Sequence, residues 1–355
     1  MLLTKVVVLL TLMLCVLAST INNLPRRSCK SGAPHPLLPA RTVFQFDTNN
    51  TWLENIAVRS NGHLLLTMLA PTASLYTLKD PYSKTPELSL LHTFDNATSL
   101  LGITEIDDDV FAFISATYAD DPGSVSAPST SIVWEVSFAG SEFSIRKGVD
   151  LSGVQIPNGI TSIPHTSTVL VADACGGDIT RCDLRNGMCT VILKDAQTGH
   201  SQGCLSTVGS VGVNGVHYRA EYLYWTNSDQ VSLFKTRLGR DGYLPTNSTA
   251  AVETVGKLDA AFVDDFTEDD AGVFWIAAGT NNTIVALQSD DGSSQVLAGS
   301  LLEPTVAGCT AVAFGRTTQD RKTLYVVTNG GQQTPVNGVR EPAKVVALDT
   351  AEFVY

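Results

Sequence analysis

Six times along the chain, at intervals of roughly fifty residues, a short apolar step broken by a polar residue or a glycine comes just ahead of a run of strand formers. The steps are LENIAV around Glu54, LGITEI around Gly102, PNGITSI around Asn158, VNGVHY around Asn214, FVDDFT around Asp265 and CTAVAF around Thr310. The runs, among them HLLLTML at 63–69, TVLVADA at 168–174, YLYWTN at 222–227 and TLYVVTN at 323–329, are rich in β-branched and aromatic residues and bounded by Gly, Asn, Asp and Ser. No stretch long enough for a helix carries an apolar stripe at helical spacing. The chain is therefore all-β. A period of this size in an all-β chain predicts one four-stranded blade per repeat, a six-bladed β-propeller over residues 41–355. The strand VFQFD at 43–47 has no partner in the first repeat. It is expected to pair with the last blade and close the ring, covering a sheet edge.

Composition narrows what such a ring can do. Charged residues are only 16% of the chain and apolar ones 44%, which suits a packed core. With 35 acidic against 23 basic residues the net charge is −12, and no Lys/Arg run is present to hold a phosphate backbone, so nucleic acid is excluded as a partner. Residues 1–18 read as a signal peptide: Lys5, an apolar run from Val6 to Leu17, and Val16 and Ala18 placed for cleavage. That run is shorter than the ~20 residues of a spanning helix. The protein is expected in the secretory lumen or outside the cell, free of the membrane after cleavage. Residues 19–40 are Pro-rich and read as extended, and nothing in the sequence fixes an oligomeric state.

Cysteine usage agrees with that compartment. Once Cys15 leaves with the signal, Cys29, Cys175, Cys182, Cys189, Cys204 and Cys309 remain, an even set suited to disulfides. Cys182 and Cys189 flank a hairpin-like stretch with Asn186-Gly187 as its turn and are the best local pair. A bond from Cys29 to Cys309 would tie the N-terminal segment to the end of the fold. Sequons at Asn49, Asn96, Asn247 and Asn281 are candidate glycan sites.

In a propeller the innermost strands converge on one channel, so matched positions become neighbours across long sequence separations. Glu54, Asn158, Asn214 and Asp264 or Asp265 are such positions. Their carboxylate and amide oxygens could hold Ca²⁺ or another divalent ion, a substrate oxygen, or water; the competing reading is that Asn-Gly merely makes turns. His217, Tyr218, Tyr224 and Trp225 follow Asn214 closely and are candidates for catalysis (His217) and substrate contact (Tyr218, Tyr224, Trp225), against blade packing. Gly199-His200-Ser201-Gln202-Gly203 matches a nucleophile elbow but lacks the strand before it and the helix after it, so Ser201 reads as loop. The acidic runs at 107–109 and 268–270 read as solvated turns, and 119–130 as a long polar loop.

The stretches PNGI…LVADACGGDITRCD at 157–183 and VNGVHYRAEYLYWTNS at 213–228 resemble the six-bladed SMP-30/gluconolactonase/luciferin-regenerating superfamily, over about residues 41–350. The resemblance implies a divalent metal over the channel, with Glu54 as the early Glu, Asn158 and Asn214 as the Asn-Gly ligands and Asp264 or Asp265 as the late acid. Where that family favours Glu-Gly-Pro-x-Trp, this chain reads Glu54-Asn55-Ile56. With VAFGR at 312–316 and the signal peptide, the same motifs are similar to a secreted fungal subgroup. That subgroup includes the hetero-Diels–Alderases of tropolone–sesquiterpene biosynthesis, which join an o-quinone methide to a humulene-type olefin. This implies small apolar and tropolone-like substrates, with no cofactor required for the cycloaddition; the channel residues Asn158, Asn214, His217 and Asp265 are the candidates to serve it. A metal-dependent lactone hydrolase and a non-enzymatic binding propeller are the competing functions.

Overall fold

The computed structural model describes residues 36–118, 130–201, 211–245 and 251–353. The signal segment, Cys29, Cys204, the Asn247 sequon, residues 119–129 of the polar loop, and Gln202-Gly203 lie outside them. Strand β1 (Ala40–Gln45) comes first, followed by blade 1, β2 (Trp52–Val58), β3 (Leu64–Ala70), β4 (Ser74–Lys79) and β5 (Glu87–Thr93). Blade 2 holds β6 (Ser99–Asp107), β7 (Val110–Thr117), β8 (Thr130–Ser137) and β9 (Ser144–Asp150), and blade 3 holds β10 (Pro157–Ser162), β11 (Thr168–Asp173), β12 (Asp178–Asp183) and β13 (Met188–Leu193). Blade 4 is β14 (Val213–Arg219), β15 (Tyr222–Asn227), β16 (Ser232–Arg237) and β17 (Glu253–Lys257), and blade 5 is β18 (Phe266–Glu268), β19 (Val273–Ala278), β20 (Thr283–Gln288) and β21 (Ser294–Gly299). Blade 6 joins β22 (Cys309–Phe314), β23 (Thr323–Thr328) and β24 (Lys344–Asp349) to β1, in the order β1-β24-β23-β22.

Every sheet is antiparallel, and each predicted step forms all or part of an innermost strand. Those strands touch in turn, β2 to β6, β10, β14, β18, β22 and back to β2. Second strands are sandwiched between neighbouring blades, so β11 and β19 are buried at every residue. Outer strands have one wet face: β5 mixes exposed and half-buried positions, and so does β13 up to the buried Leu193. The core fills the gaps between blades, with Phe111 and Phe113 against Leu65 and Leu75 between blades 1 and 2. Phe266, Phe274 and Ile276 pack against Leu233 between blades 4 and 5.

Cys182 and Cys189 are bonded, as expected. They sit directly opposite each other on β12 and β13, around a turn that needs Gly187 at φ +72°. Cys175 is also disulfide-bonded. The suggested Cys29–Cys309 bond is not formed: Cys309 is a free, buried thiol at the head of β22, donating to the Thr283 carbonyl at 3.2 Å. Asn49 and Asn96 are exposed, while Asn281 is half-buried and accepts from the Ala261 N–H at 2.8 Å. Among the described residues no helix is long and apolar enough to cross a membrane.

Candidate active site

All six repeats depart from regular pairing at one level. Registers slip between Leu53 and Asn55, Leu100 and Ile103, Pro157 and Ile160, Val213 and Val216, and Cys309 and Ala311. In blade 5 the ladder runs ahead of β18 through Asp264 N to Ala277 O (2.8 Å) and Ala277 N to Asp265 O (3.0 Å). An inserted residue bends its strand and re-aims side chains. Glu54, Asn158-Gly159, Asn214-Gly215, Asp264-Asp265 and Thr310 therefore share a tier around the axis.

The Asn-Gly pairs do not make turns here. A Cβ on Gly159 would stand 2.6 Å from the Asn214 carbonyl oxygen, and one on Gly215 would strike the Asp265 carboxylate. Glycine lets adjacent inner strands approach backbone to backbone. Hydroxyls then stitch blade to blade: Thr226 Oγ1 donates to Asp264 O (2.7 Å), Ser228 Oγ to Val263 O (2.6 Å) and Thr310 Oγ1 to Leu53 O (2.8 Å).

Two polar groupings occupy this tier. In the first, Asp265 accepts from His217 Nε2 (3.0 Å) and the Phe266 N–H (2.8 Å) through Oδ1, and from Asn55 Nδ2 (2.7 Å) through Oδ2. Both carboxylate oxygens are engaged, so the imidazole is held with Nε2 toward Asp265 and Nδ1 free of protein partners among the described residues. The ring lies edge-on to Phe266, 4.6 Å between centroids, and the His217 side chain is 41% exposed. It is both anchored and reachable.

In the second, Trp52 Nε1 donates to Glu54 Oε2 at 2.6 Å. Burial lifts the Glu54 carboxyl to a pKa of about 7; the Trp52 bond opposes the rise and the Asp265 charge adds to it. Asp264 is raised well above the usual carboxylate range by burial, then by the charges of Glu54 and Asp265, with an Asn214 hydrogen bond opposing. Asn214 is buried and donates to Ser228 Oγ at 3.0 Å, leaving its Oδ1 without a partner among the described residues. The buried Tyr118 phenol is pushed up by desolvation, then by Glu54 and Asp173. Burial shifts this grouping toward its protonated forms, where the first fixes an imidazole.

The structure thus brings Glu54, Asn214, Asp264, Asp265 and His217 together. Asn158 stands at the matching tier of blade 3, half-buried, with no side-chain hydrogen bond among the described residues. Tyr218 packs against the cluster between blades 3 and 4. Trp225 is fully buried, stacked on Phe234 and bonded to Gln197 O at 3.1 Å, and Tyr224 leans on Phe274 between blades 4 and 5. Neither is brought to the channel tier. Ser201 lies in a loop, its N–H bonded to Asp229.

Asn55, Trp52 and Tyr118 escaped the sequence reading. Asn55 directly follows Glu54 and could have been found by asking what holds Asp265. A second overlooked series ends the second strands. Asp173, Asn227 and Asn329 each accept from loop N–H groups that follow, as in Asp173 Oδ1 from Gly176 N (2.7 Å) and Asn329 Oδ1 from Gly331 N (2.9 Å). These are Asx-type turns that shape the loops on that face.

Glu54, Asp264 and the Asn158 and Asn214 amides are hard oxygen donors. An orphaned amide oxygen beside the Glu54 and Asp264 carboxyl groups, where burial and then the Glu54 charge raise Asp264, is a donor set that suits a divalent cation. Among the described residues no three His, Cys, Asp or Glu side chains converge as a metal group, so such an ion would rest on two acids plus amides.

Six four-stranded blades around a tier of re-aimed inner-strand residues define a six-bladed β-propeller. The luciferin-regenerating enzyme has the same fold, with a TM-score of 0.61 over 89% of this chain and 96% of that one at 12% identity. No protein-family model matches the chain. At the sequence level it is 30% identical to a candidate hetero-Diels-Alderase of a Phoma species, over 82% of this chain and 87% of the relative. It is also 29% identical to the candidate hetero-Diels-Alderase asR5 of Sarocladium schorii, over 91% and 86%. The chain belongs to this hetero-Diels-Alderase family.

Proposed function

We propose that the protein joins a tropolone-type o-quinone methide to a humulene-type sesquiterpene olefin by an intermolecular hetero-Diels–Alder reaction. The observation that carries this reading is the pairing of a buried carboxyl with a pKa raised to about 7, Glu54, with an anchored imidazole, His217, on one tier of a channel in a member of this family. A hydroxymethyl tropolone becomes a quinone methide by losing water. Glu54 gives a proton to the departing hydroxyl as its C–O bond breaks, and His217 Nδ1 takes the proton of the ring hydroxyl. The His217 imidazolium formed is stabilised by Asp265, whose own position is fixed by Asn55. Asp264, whose carboxyl burial shifts toward the protonated form, donates to the quinone-methide oxygen and polarises the heterodiene. The cycloaddition then forms one C–C and one C–O bond with no net proton change, and holding the two partners together supplies several kcal/mol of the barrier.

The orphaned Asn214 Oδ1 favours a second arrangement. A divalent cation held by Glu54, Asp264, Asn158 and Asn214 would supply Lewis-acid polarisation of a carbonyl, the chemistry a lactone hydrolase needs. The test is product formation from hydroxymethyl tropolone and humulene with wild type, Glu54→Gln and His217→Gln, beside a lactone-hydrolysis assay with and without EDTA. Adduct formation that falls in both variants supports the cyclase. Lactone turnover abolished by EDTA, with no adduct, overturns it.

A further inference from the structure

Away from the channel, a cavity of about 600 Å³ opens at the seam between blades 6 and 1. Three cations from two segments line it: Arg41 on β1, and Arg321 and Lys322 at the β22–β23 turn. Tyr82, between β4 and β5 of the next blade, lines it with them, and Tyr325 closes its floor. Arg41 is aimed by its bond to the Pro81 carbonyl, 2.9 Å, and so reaches from blade 6 to blade 1. Tyr325 is fully buried and donates to Asp320 Oδ2 at 3.0 Å, so the floor is rigid. Asp349 is the one acid among the lining residues, and its Oδ1 already accepts from the Ala351 N–H at 2.9 Å. Arg321 and Lys322 form no ion pair among the described residues, as is true of Arg181, Arg185 and Arg340, but only Arg321, Lys322 and Arg41 line this cavity.

Exposed Arg and Lys on a rim are ordinarily solvated charges. Here three converge on one concavity in a chain of net charge −12, where acids are plentiful and yet none is spent on Arg321 or Lys322 among the described residues. We propose that this seam cavity binds a small polyanion carrying phosphate or carboxylate groups. Two guanidinium forks and an ammonium match such oxygens. Because the ligand would bridge β1 to the rest of blade 6 and to blade 1, binding favours the closed ring and raises its stability by mass action. The site is independent of the chemistry in the channel.

Thermal unfolding of the full chain with pyrophosphate, or in a parallel arm with citrate, tests this at ionic strength matched with NaCl. The expected result is a rise of roughly 5 °C at a probe concentration a hundredfold above Kd, with the stronger arm identifying phosphate or carboxylate as the preferred group. The rise should vanish in the Arg321→Ala/Lys322→Ala double variant and persist in Lys257→Ala, an exposed cation on β17. All three replaced cations are exposed, and circular dichroism checks that the variants fold. A rise no larger than that given by NaCl, or one of equal size in the double variant, overturns the proposal.

Discussion

Replacing Glu54 with Gln should change how the stability of the protein depends on pH more than it changes the stability itself. The Glu54 carboxyl moves from an ordinary value of 4.5 to about 7 on folding, and the residue is 6% exposed, so solvent screening does little to discount the change. A raised pKa means the folded state holds the proton more tightly than the unfolded chain does. The stabilisation is complete below about pH 4.5 and is lost as pH climbs toward 7. With each pH unit between the two values worth about 1.4 kcal/mol, the loss is about 3 kcal/mol. Glutamine keeps an oxygen for Trp52 Nε1 but cannot ionise. It also removes the charge that helps to raise Asp264, which acts in the same direction. Urea unfolding of wild type and Glu54→Gln at pH 4.5 and pH 8 should show the variant gaining about 3 kcal/mol relative to wild type across that interval. Carboxylates elsewhere titrate alike in both proteins and cancel. A stability difference that stays within about 0.5 kcal/mol between the two pH values would refute the reasoning, for Glu54 would then ionise like a solvated acid and could not serve as a proton donor near neutrality.

Other outcomes follow from the same tier. His217→Gln should lower cyclisation by at least about a hundredfold with an unchanged unfolding midpoint, since the side chain is 41% exposed; retained activity would remove His217 from the reaction. Gly215→Ala should cost about 1–3 kcal/mol and displace Asp265, seen as lost stability together with lost activity; a fully stable variant would contradict the close approach. Millimolar CaCl₂ at pH 8 should stabilise wild type but not Glu54→Gln if the two acids and two amides take a cation, as calorimetric titration at constant ionic strength would register.

What was readable in the sequence follows from burial. Second strands such as TVLVAD and VFWIAA are buried on both sides and show as continuous apolar runs, and the inner strands show through their repeated interruption. The outermost strands, ELSLLHT at 87–93 and MCTVIL at 188–193, mix exposed with half-buried positions and blend into the turns around them. The polar tier was visible because matched spacing around a ring substitutes for sequence proximity. Its inner partners were not. Asn55 matters only through Asp265, which lies 210 residues later, and Trp52 matters only because its indole turns back onto Glu54. Tyr224 and Trp225 are close to His217 in sequence and even in strand register, His217 opposite Tyr224. They nevertheless spend their surface between blades, because residues of a second strand face the neighbouring blades and those of a bulged first strand face the axis.

Ala40 pairs with Leu348, so the first strand made by the ribosome waits for the last. At roughly 5–20 residues per second, that interval is on the order of 15–60 s. Throughout it β24 does not exist, and β1 has no sheet to join. Several contacts of the channel tier cross from one blade to another, among them His217 and Asn55 on Asp265 and Thr310 on Leu53 across the closing gap. A nascent chain can thus hold Glu54, Asn214, His217 and Asp265 before the contact from Thr310 to Leu53 that closes the ring can form.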